Sequence, residues 1–422
     1  MDQGRAHRAT AVGRRAGGGR DLKALLGAFG DAGHAFPIIA LGRGLRARGH
    51  DVVIETWTRW QQDVEREGLR FAPAPEYHVF PTLERPLKPY EAVRRATGVT
   101  RSLVVRERPD VVVSDILTLA PALAAELEGV PWATLIPHVD PRGADGFPPY
   151  SLGARLPRTA AGRRLWSAFD PLIARGLALG RDELNETRAR LGLGPLGHVH
   201  GGISRDLALV ATFPQLEYPR PGGGEPATEI VGPLMWEPPF GEVDPPGGDP
   251  SWPLVLIAPS TAQDRDGRML RAALRGLAGL PVRVLASTNR RGDVSGFYKT
   301  VPPNARLVDW VSYSRTMPRC DLVVCHVGHG TLVRALGSGV PVVACPAAGD
   351  MNENAARADW AGVGVRLPRR LVSARGLRLA VQRALATPSL RLRARELAAW
   401  AAARDPADRA AELLEKFVRD TN

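Results

Sequence analysis

The residues best suited to chemistry lie at 325–354, in the stretch CHVGHGTLVRALGSGVPVVACPAAGDMNEN. His326 follows an apolar run, and a turn containing Gly328, Gly330 and Thr331 leads into a segment of helical period. Glycines in such a turn let the backbone approach a ligand closely, and Thr331 can cap the helix. The free N–H groups and the dipole of that helix start make an anion site suited to a diphosphate, to which His326 can donate.

A carboxylate stands past the end of the next predicted strand. The run VPVVACP is followed by Asp350, whose oxygens can accept hydrogen bonds from sugar hydroxyls. Because ligands bind beyond the carboxyl ends of parallel strands, the acid and the glycine turn should face one ligand. A diphosphate beside hydroxyl groups indicates a nucleotide-sugar. The alternative is a tight turn beside a core histidine, and the ordered recurrence of these residues at strand ends weighs against it.

The elements that must position these residues alternate in type along the chain. Apolar runs of strand length occupy 23–29, 50–56 and 109–115, and the last two are rich in β-branched residues. Segments with apolar residues at helical spacing occupy 37–49 and 119–129. Such alternation predicts an α/β fold of doubly wound parallel sheets with helices on both faces.

A stretch dense in Pro and Gly divides the chain. Residues 219–253 are too rich in both for a regular element of any length, and the alternation restarts after them. The sequence therefore predicts two domains of similar size joined by a linker. Their predicted limits are a disordered basic tail at 1–20, a Rossmann-like domain at 21–220, the linker at 221–252, a second Rossmann-like domain at 253–395, and C-terminal helices at 396–422 that return to the first domain.

Composition and charge exclude several classes of function. Hydrophobic residues make up 44% and charged residues 24% of the 422 residues, as in soluble globular proteins. No apolar run reaches the roughly 18 residues that span a bilayer, and we expect a cytoplasmic protein with three reduced cysteines. The net charge is +12, but no basic cluster is interleaved with aromatic residues, so nucleic acid is not an expected partner.

The ordered motif resembles the nucleotide-sugar signature of the family 1 glycosyltransferases, which have the GT-B fold. The resemblance extends over nearly the whole chain. GDAGHAFPIIALGRGLRARGHDVVIET is similar to the family's amino-terminal Gly-His turn and helix, VGPLMWEPP to its linker, and NARLVDWVSY to the start of its donor signature. The resemblance implies two Rossmann-like domains facing across a cleft, with the acceptor on the first domain and the nucleotide-sugar donor on the second.

The resemblance also implies roles for individual residues of the donor site. The predicted donor-binding residues are Ser260, Thr261, Trp310, Val311, His326, Gly328, His329, Gly330, Thr331, Asp350 and Met351. Trp310 should pack near the base, His326 should contact phosphate, Asp350 should hold sugar hydroxyls, and His329 should contribute only backbone. Where nucleotide-ribose binders of the family usually carry Glu, and where many members carry Gln, this chain has Arg334 and Met351. Both changes favour a dTDP-linked deoxysugar over UDP-glucose. The alternative position for Arg334 is on the helix face, away from the nucleotide.

The predicted catalytic pair is His34 and Asp115. Transfer with inversion needs a base for the acceptor's proton, and a carboxylate partner fixes the tautomer of a histidine base. Both residues follow predicted strands and hold these roles in the resembling family. A packing histidine and a helix-capping aspartate are the structural alternatives.

The predicted acceptor-binding residues are Trp57, Phe80, His138 and Phe147, and an aromatic-lined cleft suits a small hydrophobic natural product. Domain core is the alternative role for these aromatics. No cofactor or metal is expected, because helix N–H groups replace the cation. We expect a monomer or homodimer without stable membrane insertion. A transferase acting on a lipid acceptor, a non-catalytic partner of an active transferase and a sugar-nucleotide epimerase are the rival functions, and O- versus C-glycosylation stays open.

Overall fold

The computed structural model describes residues 21–76, 89–220, 227–260, 264, 266–289 and 301–421. The predicted basic tail at 1–20 lies outside the described residues, as do Phe80 and Thr261.

The amino-terminal domain is built on a seven-stranded parallel sheet. Its strands run in the order β3-β2-β1-β4-β5-β6-β7. They are β1 Lys23–Gly27, β2 Asp51–Thr56, β3 Arg70–Pro73, β4 Val111–Asp115, β5 Trp132–Ile136, β6 Ala208–Val210 and β7 Thr228–Ile230. The central strands are apolar on both faces, as the run VVVSD of β4 shows, because helices cover the sheet on both sides.

The helices of this domain are α1 Ala32–Ala47, α2 Gln61–Arg66, α3 Pro89–Glu107, α4 Ala120–Leu127, α5 Ala160–Ser167 and α6 Asp170–Arg190. Helix α1 packs on the face of the sheet that carries Leu26 and Ile54. Helices α3 and α4 pack on the opposite face, against Leu25, Val53 and Val112. The carboxyl ends of β1 and β4 are neighbours between these two layers, where the strand order reverses and α/β folds bind ligands.

The carboxy-terminal domain repeats the same arrangement with six parallel strands in the order β10-β9-β8-β11-β12-β13. The strands are β8 Leu254–Ala258, β9 Arg283–Ser287, β10 Ala305–Val308, β11 Leu322–Cys325, β12 Val342–Ala344 and β13 Gly364–Arg366. The helices are α7 Arg268–Leu277, α8 Tyr313–Thr316, α9 His329–Gly337, α10 Met351–Trp360, α11 Ala374–Leu385, α12 Pro388–Ala402 and α13 Pro406–Thr421. The predicted fold class is confirmed.

Two details differ from the prediction. Strand β7 lies inside the segment that was expected to hold no regular element, because three residues are enough to extend the sheet beside β6. The expected limit at residue 395 falls within α12, since Arg and Ala continue the helix across it. Helix α13 packs on α1 in the amino-terminal core. A Cβ at Gly44 would lie 2.7 Å from the Ala407 carbonyl oxygen, so only glycine permits this crossing.

The three cysteines lie in the apolar cores of the second domain. Cys320, Cys325 and Cys345 are all buried free thiols. Within the described part of the chain, no helix has the length and apolar character needed to cross a membrane.

A buried arginine joins the two domains. The guanidinium of Arg357, on α10, donates to the Leu216 carbonyl oxygen at 3.0 Å and to Glu217 at 2.9 Å, both in the amino-terminal domain. It also donates to Glu353 on its own helix and stacks 4.2 Å above the ring centroid of Tyr218. Its side chain is only 3% exposed. A buried cation needs these partners, so the network fixes how α10 meets the first domain.

Replacing this arginine tests the junction. Arg357→Met leaves the buried carboxylates of Glu217 and Glu353 without their cation, so we expect a loss of about 3–5 kcal/mol in the free energy of unfolding. Urea denaturation followed by circular dichroism measures the change. The control is Arg393→Met, which removes an exposed ion pair to Glu396 and should leave the midpoint unchanged. Equal midpoints for both variants would contradict the structural role of Arg357.

Candidate active site

His34 and Asp115 form a hydrogen-bonded pair at the carboxyl edge of the first sheet. His34 lies in the first turn of α1, directly after β1, and Asp115 is the last residue of β4. The His34 Nδ1 atom is 2.8 Å from Asp115 Oδ1. The other carboxylate oxygen accepts from the Phe29 backbone N–H at 3.1 Å, and Asp115 is completely buried. The carboxylate is therefore held in place by both its oxygens.

This geometry sets the tautomer of His34. An ionised carboxylate only accepts hydrogen bonds, so Nδ1 carries the proton and the neutral ring keeps its lone pair on Nε2. Burial lowers the pKa of His34, but the charge of Asp115 and its hydrogen bond outweigh burial, so the pKa lies above the ordinary histidine value. The His34 side chain is 15% exposed, which leaves the ring accessible. The pair has the form of a general base with its carboxylate partner.

The neighbourhood of His34 includes groups from both domains. The ring of His138 is 6.4 Å from that of His34, and its Nδ1 donates to the Val139 carbonyl oxygen at 2.7 Å. Burial lowers the pKa of His138. The charge of Asp350, in the second domain, contributes to raising the pKa of His34. The charge of Asp350, the predicted sugar-binding acid, therefore acts on the predicted base from the other domain.

The turn after β11 differs from the predicted one in how it makes its bend. Buried Val327 takes the left-handed conformation, with φ at 53°, which is unusual for a β-branched residue and occurs mostly at functional sites. Gly328 has φ at −52° and is the N-cap of α9. Thr331 was expected to cap this helix, but it lies inside the first turn because the helix already begins at His329.

The two glycines of this turn leave open space. A Cβ at Gly328 or Gly330 would meet no atom within 4 Å, so packing within the protein does not require glycine there. The open space lies at the N-terminus of a nine-residue helix, where backbone N–H groups attract anions. This space would let a ligand approach the backbone at the two glycines.

Two hydrogen-bond partners hold the ring of His326. Its Nδ1 is 2.6 Å from the Cys345 carbonyl oxygen and its Nε2 is 3.1 Å from Asp264 Oδ2. Burial raises the pKa of Asp264, but the hydrogen bonds from His326 and the Met269 backbone outweigh it and keep the pKa below its ordinary value. The ring of His326 is therefore fixed and buried beside the predicted phosphate turn.

Asn354 and Asp264 belong to the site but were not predicted. The Asn354 amide donates to the Val327 carbonyl oxygen at 3.0 Å and lies 3.4 Å from Asp350 Oδ2, so it ties the turn to the acid. Asp350 precedes α10, and Met351 is buried as its first residue. The ring of His329 is also buried, and burial lowers its pKa to about 3. In the sequence, the run Asn-Glu-Asn at 352–354, shortly after Asp350, was the feature that could have indicated Asn354.

The linker contacts the segment that was predicted to bind the nucleotide base. Phe240 packs against Trp310 with ring centroids 5.3 Å apart, and Val311 is buried beside it. Glu237 accepts from the Ser312 and Ser314 hydroxyls at 2.6 Å each.

Arg334 reaches the same linker. It donates to the Trp236 carbonyl oxygen and lies 3.5 Å from Glu237. Ser260, after β8, is half-buried. Among the described residues, no three His, Cys, Asp or Glu side chains gather to hold a metal ion.

The predicted acceptor residues do not all come together. Trp57 lines a narrow pocket with Phe29, and the two rings are 4.9 Å apart. Phe147 packs instead on Tyr218 at the domain junction, with ring centroids 5.8 Å apart. The pocket also contains Glu55, which was not singled out although it is the next-to-last residue of a predicted strand. The roles of all these residues stay predictions.

The chain is similar to known proteins over most of its length. Residues 282–417 match the family described as Erythromycin biosynthesis protein CIII-like, C-terminal domain. The chain is 28% identical to 4'-demethylrebeccamycin synthase of Lentzea aerocolonigenes, covering 92% of this chain and 97% of that protein. It is 30% identical to a PGL/p-HBAD biosynthesis glycosyltransferase of Mycobacterium tuberculosis (strain ATCC 25177 / H37Ra), covering 72% and 70%.

Two solved structures share the fold. The glycotransferase of kitacinnamycin superposes with a TM-score of 0.74 at 21% identity, over 94% of this chain and 99% of that one. The glycosyltransferase VinC, in complex with dTDP, superposes with a TM-score of 0.67 at 19% identity, over 94% and 100%. Two facing parallel-sheet domains with a site between them define a GT-B protein. The chain belongs to the family 1 natural-product glycosyltransferases.

The open space at Gly328 generates a test. Gly328→Ala adds a methyl group that the free protein accommodates, so the melting temperature should stay unchanged. A diphosphate at the start of α9 would meet that methyl group, and we expect dTDP binding to weaken by at least about tenfold, since oriented contacts tolerate little displacement. Isothermal calorimetry measures the affinity. Gly180→Ala, in α6 and equally open, is the control. Unchanged dTDP affinity in Gly328→Ala would show that no phosphate lies there.

Proposed function

We propose that this chain is an inverting, metal-independent glycosyltransferase that moves a sugar from a nucleotide diphosphate sugar to a small hydrophobic acceptor. The observation that carries the proposal is the His34–Asp115 pair, whose Nδ1 and Oδ1 atoms are 2.8 Å apart. The pair supplies a base with a free Nε2. The charge of Asp350, an acid suited to sugar hydroxyls, contributes from the other domain to raising the pKa of this base. Cytoplasmic location and a monomeric or dimeric state belong to the same proposal.

The proposed reaction is a single displacement. His34 Nε2 takes the proton of the acceptor hydroxyl while the acceptor oxygen attacks the anomeric carbon. The new carbon–oxygen bond forms as the bond to the diphosphate oxygen breaks, and that oxygen leaves with the electron pair. Attack opposite the leaving group inverts the anomeric configuration. Asp115 stabilises the imidazolium that forms, and it keeps its own charge throughout.

In this proposal the donor domain supplies hydrogen-bond donors for the leaving group. The N–H groups at the start of α9 and the ring of His326 belong to the same turn. Donors fixed in advance stabilise a developing anion without reorganisation, which supports a mechanism that needs no divalent cation. Asp350, tied to this turn through Asn354, holds hydroxyls of the transferred sugar in the proposed reaction.

The environment of Arg334 supports a dTDP-linked donor. At the position where a Glu would accept from ribose hydroxyls, this chain has a cation engaged with Glu237. Glu237 in turn accepts from Ser312, Tyr313 and Ser314, so its oxygens are already occupied. The 2'-hydroxyl of a ribonucleotide therefore finds no free carboxylate here. A deoxyribose has no 2'-hydroxyl, so it loses no hydrogen bond at this position. The dTDP complex of the similar VinC structure agrees with this preference.

Transfer to a lipid-linked acceptor is the second candidate function. Leu165, Phe169, Leu172 and Leu179 are exposed on α5 and α6, beside arginines at 163, 164 and 175. Apolar and basic side chains on one surface suit an anionic membrane. The catalytic chemistry would be unchanged, since only the body of the acceptor differs.

The pH dependence of transfer tests the catalytic pair. Deprotonated His34 is the active form, and Asp115 raises its pKa, so the acid limb of kcat/KM should lie above the ordinary histidine pKa. Asp115→Asn removes the carboxylate charge but keeps the burial that lowers the pKa of His34, so the acid limb of kcat/KM should move to lower pH. The value of kcat should fall about 10²–10⁴-fold.

The control for this pair is Asp31→Asn, which removes an exposed carboxylate near His34 that makes no hydrogen bond to the ring. Its kcat should stay within about twofold of wild type, because general-base catalysis depends on the bonded partner. An acid limb that stays in place in Asp115→Asn would contradict the assignment of His34 as the base.

Donor preference is the decisive test of the proposed function. Calorimetry should show that wild type binds dTDP at least as tightly as UDP. Arg334→Glu alone would set two carboxylates against each other, so the double variant Arg334→Glu/Glu237→Gln is the better probe. It should gain affinity for UDP by about tenfold over Glu237→Gln, because a carboxylate then accepts from the 2'-hydroxyl.

The outcomes of this titration separate two ideas. If the double variant binds UDP no better than Glu237→Gln, residue 334 does not face the ribose and the dTDP preference loses its basis. If wild type binds neither nucleotide, the proposed transferase activity itself is wrong.

A further inference from the structure

Glu55 is a buried carboxyl group in the amino-terminal domain that the proposed reaction does not use. It lies near the carboxyl end of β2, directly beside Gly27 of β1, and is 2% exposed. Its side chain faces α3, on the opposite side of the sheet from the core that contacts α1. Buried carboxyl groups are rare unless they are paired, so this one requires an explanation.

Thr100 is the hydrogen-bond partner that the described residues provide for this carboxyl group. Its Oγ1 lies 2.8 Å from Oε1 and 3.0 Å from Oε2 of Glu55. One hydroxyl proton cannot satisfy two carboxyl oxygens, so hydrogen-bonding capacity is left over. Burial raises the pKa of Glu55 to about 7, and the Thr100 hydrogen bond opposes this only in part.

The carboxyl group of Glu55, with the hydrogen-bonding capacity that Thr100 leaves unused, lines a narrow pocket. Phe29, Trp57, Ala74 and Pro121 line it with apolar surface, and Glu55 and Thr100 are its polar groups together with Thr118. Its inner end has room for about one water-sized group. Trp57 is packed so tightly that a Cβ at Gly30 would overlap its ring, which makes this wall rigid.

The pocket adjoins the catalytic pair. Phe29 lines the pocket, meets the ring of His34 edge-on at 6.2 Å, and donates its backbone N–H to Asp115. A molecule lying against Phe29 therefore has His34 near one end and Glu55 near the other.

We propose that Glu55 is an acceptor-specificity residue that receives a hydroxyl or N–H group on the apolar acceptor, distinct from the group that is glycosylated. This inference rests on the proposed function, because it takes the amino-terminal domain as the acceptor site. The apolar body of the acceptor lies against Phe29 and Trp57, and its polar substituent enters the narrow end of the pocket. An acceptor of the same shape with an ether in that position is bound less well, because an ether oxygen has no proton to donate.

Phenol and anisole are suitable probes, because they differ in the proton that Glu55 would accept. Ligand-observed NMR titrations give the ratio of their affinities for each protein. For wild type, we expect phenol to bind about tenfold more tightly than anisole, the ratio that one hydrogen bond to a buried carboxyl group supplies. The ratio should persist in His34→Ala, because the base is not its source.

Variants of Glu55 complete the experiment. Glu55→Met should reduce the ratio to about twofold or less, and Glu55→Gln, whose amide oxygen still accepts, should restore most of it. Thr100→Val removes the competing donor and should raise the ratio, which a merely structural role for Glu55 would not do. This last variant keeps the test decisive if Glu55→Met fails to fold.

The inference is overturned if wild type binds both probes equally or binds neither, if Glu55→Met keeps the preference, or if the preference disappears in His34→Ala. Calorimetry with dTDP on the same samples reports the donor site independently. Failure of the proposed function and failure of the Glu55 inference are therefore separate results.

Discussion

The guanidinium of Arg357 is the constraint on which the site depends. It is buried where α10 meets the first domain, and its partners Leu216 and Glu217 belong to that domain. A buried cation without partners is far less stable than a paired one, so the helix has one favourable position. Helix α10 follows Asp350 directly, and the same arginine therefore sets where this predicted sugar-binding acid stands relative to His34. Glu217 also accepts from the Asp140 backbone, which extends the constraint to the loop of His138.

The donor side of the cleft is prepared for an anion before any ligand arrives. Val327 is held in a conformation that costs about 1–3 kcal/mol, and its carbonyl oxygen is bound by Asn354. This bend directly precedes α9. Hydrogen bonds with Cys345 and Asp264 fix the ring of His326. The turn thus combines oriented N–H groups, a fixed histidine ring and open space at two glycines, an arrangement suited to the proposed leaving diphosphate.

The acceptor side is assembled from three neighbouring strand ends. Gly27 of β1 lies between Glu55 of β2 and Ser114 of β4, which directly precedes Asp115. Because side chains alternate between the faces of a strand, Glu55 and Asp115 lie on opposite faces of the sheet, and Phe29 contacts both regions. A parallel sheet therefore presents a base and a second polar contact to one ligand without a long loop.

The sequence alone determined the elements and the type of each site. The period of apolar residues predicted two doubly wound domains, and strand ends carrying His34, Asp115, His326 and Asp350 predicted where chemistry lies, because both signals are local in the chain. Only the tertiary structure decided which distant side chains pair. Asp264 with His326, Glu237 with Arg334, and Glu55 with Thr100 are separated by 62, 97 and 45 residues, and nothing local links such partners. The same holds for Phe147, whose aromatic character suited an acceptor pocket until packing placed it against Tyr218. Patterns along a chain report the face that a residue occupies, whereas its contacts follow from how complete elements pack.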